Sequence, residues 1–288
     1  MANKFSVGLI QMRCNSDAES NASRAVERIE MAAHMGAEIV CLPELFRTPY
    51  FCKTHDINMF SLAETIPGPT TERLSSVAKK QNVVVIGSIF EKEMEGLFYN
   101  TAVVIDADGS FLGSYRKIHI PHDPHFYEKY YFRPGNLGYK VFRTQYASIG
   151  TLVCWDQWFP EAARLTALQG AEVIFYPTAI GWDTREKDMF GKSQFESWQT
   201  IQRAHAIANG VYVVAVNRVG IETCATGTLE FWGGSFVSDP FGSVLTHADS
   251  EKEEILVGVC NPERIQEVRR NWPFFRDRRT DTYQGLIN

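Results

Sequence analysis

The sequence predicts an α/β protein whose two halves share one plan, stacked as a four-layer α-β-β-α sandwich with an internal pseudo-twofold repeat. Two observations carry that prediction. Short β-branched runs alternate with stretches of helical period along the chain, with no proline-rich or low-complexity linker between them. In addition, three segments of the first half recur in the same order in the second.

Taken in order, Phe5 to Met12 reads as a strand, Asn21 to His34 as an amphipathic helix and Ala37 to Leu42 as a buried strand. Further strands are expected at Val83 to Phe90, Thr101 to Asp106, Ser148 to Cys154, Val173 to Tyr176, Val211 to Asn217, Ser235 to Ser238 and Ile255 to Val259. Helices are expected at Thr71 to Gln81, Pro160 to Leu168 and Phe195 to Ala208, and residues 262–288 read as a C-terminal helix and tail. The recurring segments are Ser6-Val7-Gly8 with Ser148-Ile149-Gly150, Gly36 to Glu44 with Gly170 to Thr178, and Val103 to Gly109 with Phe236 to Gly242. Two such halves can bury their sheets against each other and cover the outer faces with helices. Strand ends from different halves then converge, Glu44 and Cys154 among them.

Composition narrows the function. With 288 residues, 44% of them hydrophobic, the chain can bury a large core. Its 29 Lys and Arg are scattered among 34 Asp and Glu for a net charge of −5, so no basic stripe addresses nucleic acid. The apolar run Val7 to Ile10 is too short for a secretion signal and no run reaches membrane-spanning length, so a cytoplasmic protein is expected. Six cysteines without a CxxC pair point to reduced thiols rather than a disulfide framework.

One of those thiols stands apart. Cys154 closes the run Ile149 to Val153 and precedes a helix with Pro160 and Glu161 in its first turn, which places it at a strand-to-helix turn. Backbone N–H groups there favour a thiolate and a developing oxyanion. Glu44 directly follows a buried strand ended by Pro43, and an enclosed carboxylate there could take the thiol proton and return it to a leaving amine. Lys117, in Tyr115-Arg116-Lys117-Ile118-His119, would lower the thiol pKa and stabilise a tetrahedral intermediate if it stood beside Cys154.

The segments Leu42-Pro43-Glu44, Tyr115 to His119 and Cys154-Trp155-Asp156-Gln157-Trp158-Phe159-Pro160-Glu161 together resemble the three signature blocks of the nitrilase, or carbon-nitrogen hydrolase, superfamily. The resemblance covers nearly the whole chain, so residues 1–288 are expected to form one such domain. It implies a Glu44-Lys117-Cys154 triad with Glu128 as a second glutamate, attack of the thiol on a carbonyl or nitrile carbon, and a covalent intermediate cleared by water. The oxyanion would be held by Lys117 and the Trp155 N–H. Tyr50, Tyr127, Trp155, Asp156 and Ala179 are expected to contact substrate. The scheme needs neither cofactor nor metal. His119, His122 and His125 recur every three residues, but Pro121 and Pro124 break the stretch and no carboxylate-histidine motif accompanies it. His122 and His125 are expected at the pocket mouth beside Glu128, or exposed.

Relatives acting on N-carbamoyl amino acids resemble one another in carrying paired arginines soon after the cysteine, where this chain has Gln157 and Trp158. The segments Cys154 to Glu161, Phe126 to Phe132 and Tyr176 to Gly181 are most similar to the branch acting on N-carbamoyl amines, N-carbamoylputrescine among them. A small carbamoyl amine is therefore the expected partner, with a cationic amine at its far end facing Asp183, Glu186, Asp188 or Glu196. The alternatives are an ω-amidase or N-carbamoyl-β-alanine hydrolase, which would need a grip from Arg47 or Arg133, and a non-catalytic ligand-binding or scaffold member. The resemblance also implies a homo-oligomer. Lys117→Ala and Glu44→Gln are expected to lower turnover with little loss of stability.

Overall fold

A computed structural model describes residues 3–287. The first half runs β1 (Phe5–Gln11), α1 (Ala18–His34), β2 (Ile39–Cys41), α2 (Pro69–Gln81), β3 (Val84–Met94), β4 (Leu97–Ile105) and β5 (Phe111–Arg116). After the single turn α3 (Glu128–Tyr131) come β6 (Val141–Arg143), β7 (Ser148–Thr151), α4 (Pro160–Leu168), β8 (Val173–Pro177), β9 (Gly181–Asp183) and α5 (Lys187–Asn209). The chain continues through β10 (Tyr212–Val216), β11 (Val219–Cys224), β12 (Gly227–Trp232), β13 (Phe236–Ser238), β14 (Val244–His247), β15 (Glu254–Cys260) and α6 (Pro262–Asn271).

Two six-stranded sheets carry the fold, ordered β15-β1-β2-β3-β4-β5 and β6-β7-β8-β10-β13-β14. Read side by side they match strand for strand, in parallel and antiparallel pairing alike. The match extends to register: Val7 pairs with Ile39 in one sheet, and their counterparts Ile149 and Val173 pair in the other. Even a side chain is repeated. Glu38 accepts from the Ser6 N–H and Glu172 from the Ser148 N–H, each at 2.8 Å. The duplicated unit read from the sequence is thus a duplicated structure.

The central strands are buried on both faces, which is why they read as continuous apolar runs rather than alternating ones. Their inner faces form one core between the sheets, with Val7, Leu9, Ile39 and Ile86 from one and Ile149, Val173, Phe175 and Val214 from the other. Outside, α1 and α2 cover the first sheet through Ile29, Ala32, Leu74 and Val77, and α4 and α5 cover the second through Ala163, Ala167 and Ala206. That is the expected four-layer order.

Departures lie at the margins. The sequence pattern does not mark β5, β6, β9, β11, β12 or β14, because these are short or half-exposed segments without a continuous apolar run, all but β12 at a sheet edge. Strand β7 ends at Thr151 rather than Cys154, and α5 begins at Lys187, two turns before Phe195. Polar residues and Gly191 disguise that opening; Gly191 lies close against the Trp182 ring, 3.2 Å from where a Cβ would stand.

Candidate active site

The ends of β2, β5 and β7 meet at one end of the sandwich. After β2, Pro43 cannot continue the ladder, and the Glu44 N–H turns to the Thr178 carbonyl of the other half at 3.4 Å. Lys117 follows β5, its N–H donating to the Asn100 carbonyl at 2.8 Å. Gly135 crosses so tightly over this segment that a Cβ there would lie 2.0 Å from the Arg116 carbonyl oxygen. Glu128 opens α3.

Three of these side chains form a sealed cluster. Lys117 Nζ donates to Glu44 Oε1 at 2.8 Å and to Glu128 Oε2 at 2.7 Å, and all three side chains are fully buried. Asn100 Nδ2 adds a second bond to Glu44 Oε1 at 2.6 Å, and the Tyr50 hydroxyl donates to Glu128 Oε1 at 2.6 Å. Glu44 Oε2 is the exception: it is buried with no hydrogen-bond partner among the described residues. A buried carboxylate oxygen left unpaired is costly, and here it is the atom free to receive a proton.

Cys154 begins a 3₁₀ turn, Cys154–Trp158, with φ of 43°, a left-handed conformation that costs a non-glycine residue about 1 kcal/mol or more. Asp156 holds that strain in place. Its buried carboxylate accepts from the Val153 N–H, the Tyr115 hydroxyl, and the N–H and ring Nδ1 of His119, at 2.7 to 3.0 Å. The thiol is buried and receives a backbone hydrogen bond from Ala179.

The electrostatics correct one expectation. Burial, and then the charge of Glu44, push the Cys154 thiol well above its ordinary pKa; Lys117 pulls the other way without prevailing. The resting residue is therefore a neutral thiol that needs a base, not a thiolate made by its turn. Burial also works against the charge on Lys117, but Glu128, Glu44 and Cys154 outweigh it and hold the ammonium firmly protonated. Glu128 is raised to about 7, chiefly by burial and by Glu44, against the opposing pull of Lys117 and the Tyr50 hydroxyl. Replacing Tyr50 by Phe removes one of those pulls. The acid limb of the pH profile of kcat should then move upward in Tyr50→Phe, since the neutral Glu128 is favoured. An unmoved limb in a folded variant would mean that Glu128 does not govern it.

A cavity of about 470 Å³ opens above the thiol, walled by Phe126, Trp155, Trp158, Ile180 and Trp232. Its polar wall carries Asp123, Asp183 and Glu186, and no Lys, Arg or His side chain is among its described lining residues. Asp183 is already matched, by Arg185 and by His125 Nε2 at 3.2 Å, and the Arg185 guanidinium holds its carboxyl well below the usual range. Asp123 and Glu186 are exposed, and no side-chain ion pair holds either of them among the described residues.

Several expected contacts fall elsewhere. Trp155 lines the cavity and Ala179 reaches the thiol, but Tyr50 stands behind Glu128 and Asp156 behind the turn. Tyr127 packs on His55 and His122 instead, with ring centroids 4.7 and 5.7 Å away. Asp188 and Glu196 line a separate hollow on the other side of α5, and Glu196 faces Lys192. Gln157 is buried against Trp198, so only Trp158 of that pair can meet substrate. His119 stacks on Phe159 at 3.7 Å, His122 is exposed, and His125 is buried against Asp183 rather than placed at the mouth. Arg47 is paired with Glu64 and Arg133 is exposed, and neither lines the cavity.

The chain is similar to known proteins over nearly its whole length. The carbon-nitrogen hydrolase family pattern matches residues 6–270. The chain is 44% identical to an N-carbamoylputrescine amidase of Solanum lycopersicum, over 98% of this chain and 94% of that protein. It is 40% identical to a citrullinase of Francisella tularensis, over 100% and 99%. A crystal structure of a carbon-nitrogen hydrolase from Helicobacter pylori G27 superposes with a TM-score of 0.96 at 42% identity, covering 99% of each chain.

Proposed function

The chain belongs to the carbon-nitrogen hydrolase family, and from that premise we propose that it hydrolyses N-carbamoylputrescine to putrescine, ammonia and carbon dioxide. Glu44 takes the Cys154 proton through its unpartnered oxygen as sulfur adds to the ureido carbon. Charge building on the carbonyl oxygen is met by Lys117 and by the Trp155 N–H, which lies in the first turn of the 3₁₀ segment where N–H groups lack intrahelical partners. Glu44 returns the proton to the departing ammonia and leaves a thiocarbamate on Cys154. Water, deprotonated by the same carboxylate, releases the carbamate, which loses carbon dioxide to give the amine. Glu128 keeps Lys117 oriented throughout.

The choice of substrate rests on one observation: the cavity above the thiol carries three carboxylates and no basic side chain among its described lining residues. A cationic tail suits that wall, with Asp123 and Glu186 as its partners, and a substrate carboxylate finds nothing to grip. Both carboxylates are exposed, which limits each pairing to about 1 kcal/mol, so N-carbamoyl-butylamine should lose roughly five- to thirtyfold in kcat/KM against N-carbamoylputrescine. N-carbamoyl-β-alanine and citrulline should be poorer still, and Asp123→Asn with Glu186→Gln should erase the preference. A carboxylate-bearing compound turned over fastest would replace this reading with the carbamoyl amino acid one. A cytosolic setting fits six free cysteines. A homo-oligomer fits the exposed apolar side chains of Trp272, Phe274, Leu286 and Ile287. No described helix is long and apolar enough to cross a membrane.

A further inference from the structure

Next to the cluster, and outside the residues that line the cavity, lies a second set of charges. Arg218, fully buried between β10 and β11, spreads its guanidinium over backbone rather than over a carboxylate pair alone. Its Nε donates to the Glu44 carbonyl at 3.0 Å, one Nη donates to the Leu45 carbonyl, and the other meets Glu222 Oε1 at 3.2 Å. Leu45 is itself in a left-handed conformation, with φ of 50°. Two carbonyls pointing at one guanidinium explain how that conformation is held directly after Glu44.

Glu222 carries the contact onward. Its Oε2 accepts from the Tyr50 N–H at 2.8 Å and from Lys53 Nζ. Tyr50 is the residue whose hydroxyl holds Glu128. The contacts therefore close a ring: Arg218, Glu44, Lys117, Glu128, Tyr50, Glu222 and back to Arg218. Both buried carboxylates of the cluster are in it, each anchored through backbone or through a tyrosine to a charge that faces no substrate. Neither Arg218 nor Glu222 lines the cavity.

We propose that Arg218 and Glu222 are positioning residues that set, from outside the substrate cavity, where the carboxylates of Glu44 and Glu128 stand relative to Lys117 and Cys154. The proposal rests on the reading of Glu44 and Glu128 as working parts of the site. Proton transfer from the thiol depends on the placement of Glu44 Oε2, and a misplacement of about 1 Å can cost on the order of a hundredfold in rate. Substrate affinity does not depend on it.

The test is Glu222→Gln, which keeps the side chain's shape and can still accept from Tyr50 but loses its charge toward Arg218 and Lys53, with Arg218→Lys as a second variant. Cys154 sites are counted by peptide mass spectrometry after iodoacetamide treatment, which separates Cys154 from the partly exposed Cys14 and Cys224, so that kcat is stated per folded molecule. The expected result is a tenfold or larger fall in kcat with KM within about twofold of the parent. In a double-mutant cycle Glu222→Gln and Tyr50→Phe should be clearly non-additive, because both act on Glu128. A merely structural ion pair would lower Tm and the number of reactive sites while leaving kcat per site unchanged. That outcome in either variant overturns the proposal, as does a rise in KM with kcat intact, or strict additivity in the cycle. Glu44→Gln measured alongside separates the two ideas: if it keeps wild-type turnover the underlying reading of the site has failed, whereas a dead Glu44→Gln beside a fully active Glu222→Gln refutes the positioning role alone.

Discussion

Cys154→Ala should abolish turnover completely and with it covalent labelling of the site by substrate-like electrophiles, while the fold survives. The thiol is the atom that forms and breaks the bond, and neither Glu44 nor Lys117 can stand in as nucleophile while each is buried against the other. Its loss removes a small side chain whose left-handed turn is held by Asp156, so stability should change little. The other five cysteines lie outside the cavity: Cys41, Cys52 and Cys260 are buried, with thiols pushed up by burial. Cys14 is raised as well, and Cys224 sits near His125 on the β11–β12 hairpin. Single replacements of these should keep most activity. Mass spectrometry after iodoacetamide treatment, paired with ammonia release, checks the claim; activity retained in Cys154→Ala would overturn it.

The second large effect is that of Lys117→Met, and here the structure departs from the sequence expectation of little stability loss. Lys117 is the one cation in contact with two fully buried carboxylates, so removing it leaves Glu44 and Glu128 facing each other without water. Breaking a buried pair in this way costs about 3–5 kcal/mol, which for a chain of this size is on the order of 10 °C in Tm. Turnover should fall by orders of magnitude as well, since the oxyanion loses its charged partner. The pH dependence has a definite sign. Without the ammonium the Glu128 carboxyl, already raised to about 7, rises further, so the folded variant binds protons more readily than its unfolded chain. Its stability deficit should therefore shrink as pH falls from 8 toward 6 and grow as pH rises. Thermal melts of both proteins across that range decide the matter, and a deficit independent of pH would show that the carboxylates are relieved in some other way.

Why some of this was legible in the sequence and some not follows from where the residues sit. Glu44 and Cys154 stand just past strand ends beside local signals, Pro43 for one and, for the other, a β-branched run with Pro160 opening the helix beyond, whereas Lys117 follows β5, which no apolar run marks. Glu128 lies in a short aromatic segment and carries no such signal of its own; only the family resemblance pointed to it. Asn100 and Arg218 could not be found that way, and Tyr50 was expected at the substrate rather than behind Glu128. Asn100 is inside an apolar strand, and these residues reach their partners across 56, 78 and 174 positions. The acidic cavity wall was half legible for the same reason. Asp183 and Glu186 were in view as acids of one loop, but the start of α5 at Lys187 turns Asp188 and Glu196 to another face, and Asp123 joins from elsewhere. Burial is the quantity a local pattern states least well, which is why the turn alone suggested a thiolate where burial raises the thiol pKa and leaves the proton for Glu44 to take.

The strand-for-strand match of the two sheets has a consequence in time as well as in space. Base and ammonium belong to the first half and the thiol to the second, and the halves touch at the Glu44 N–H and the Thr178 carbonyl, which occupy equivalent places in the repeat. Apart from β15, which returns from the far end of the chain to pair with β1, each half draws its strands from within itself, yet neither then holds a complete chemical apparatus. Competence arrives only when the two apolar faces close on each other. During refolding, the return of ammonia release thus acts as a clock for docking of the halves and lags behind the recovery of secondary structure.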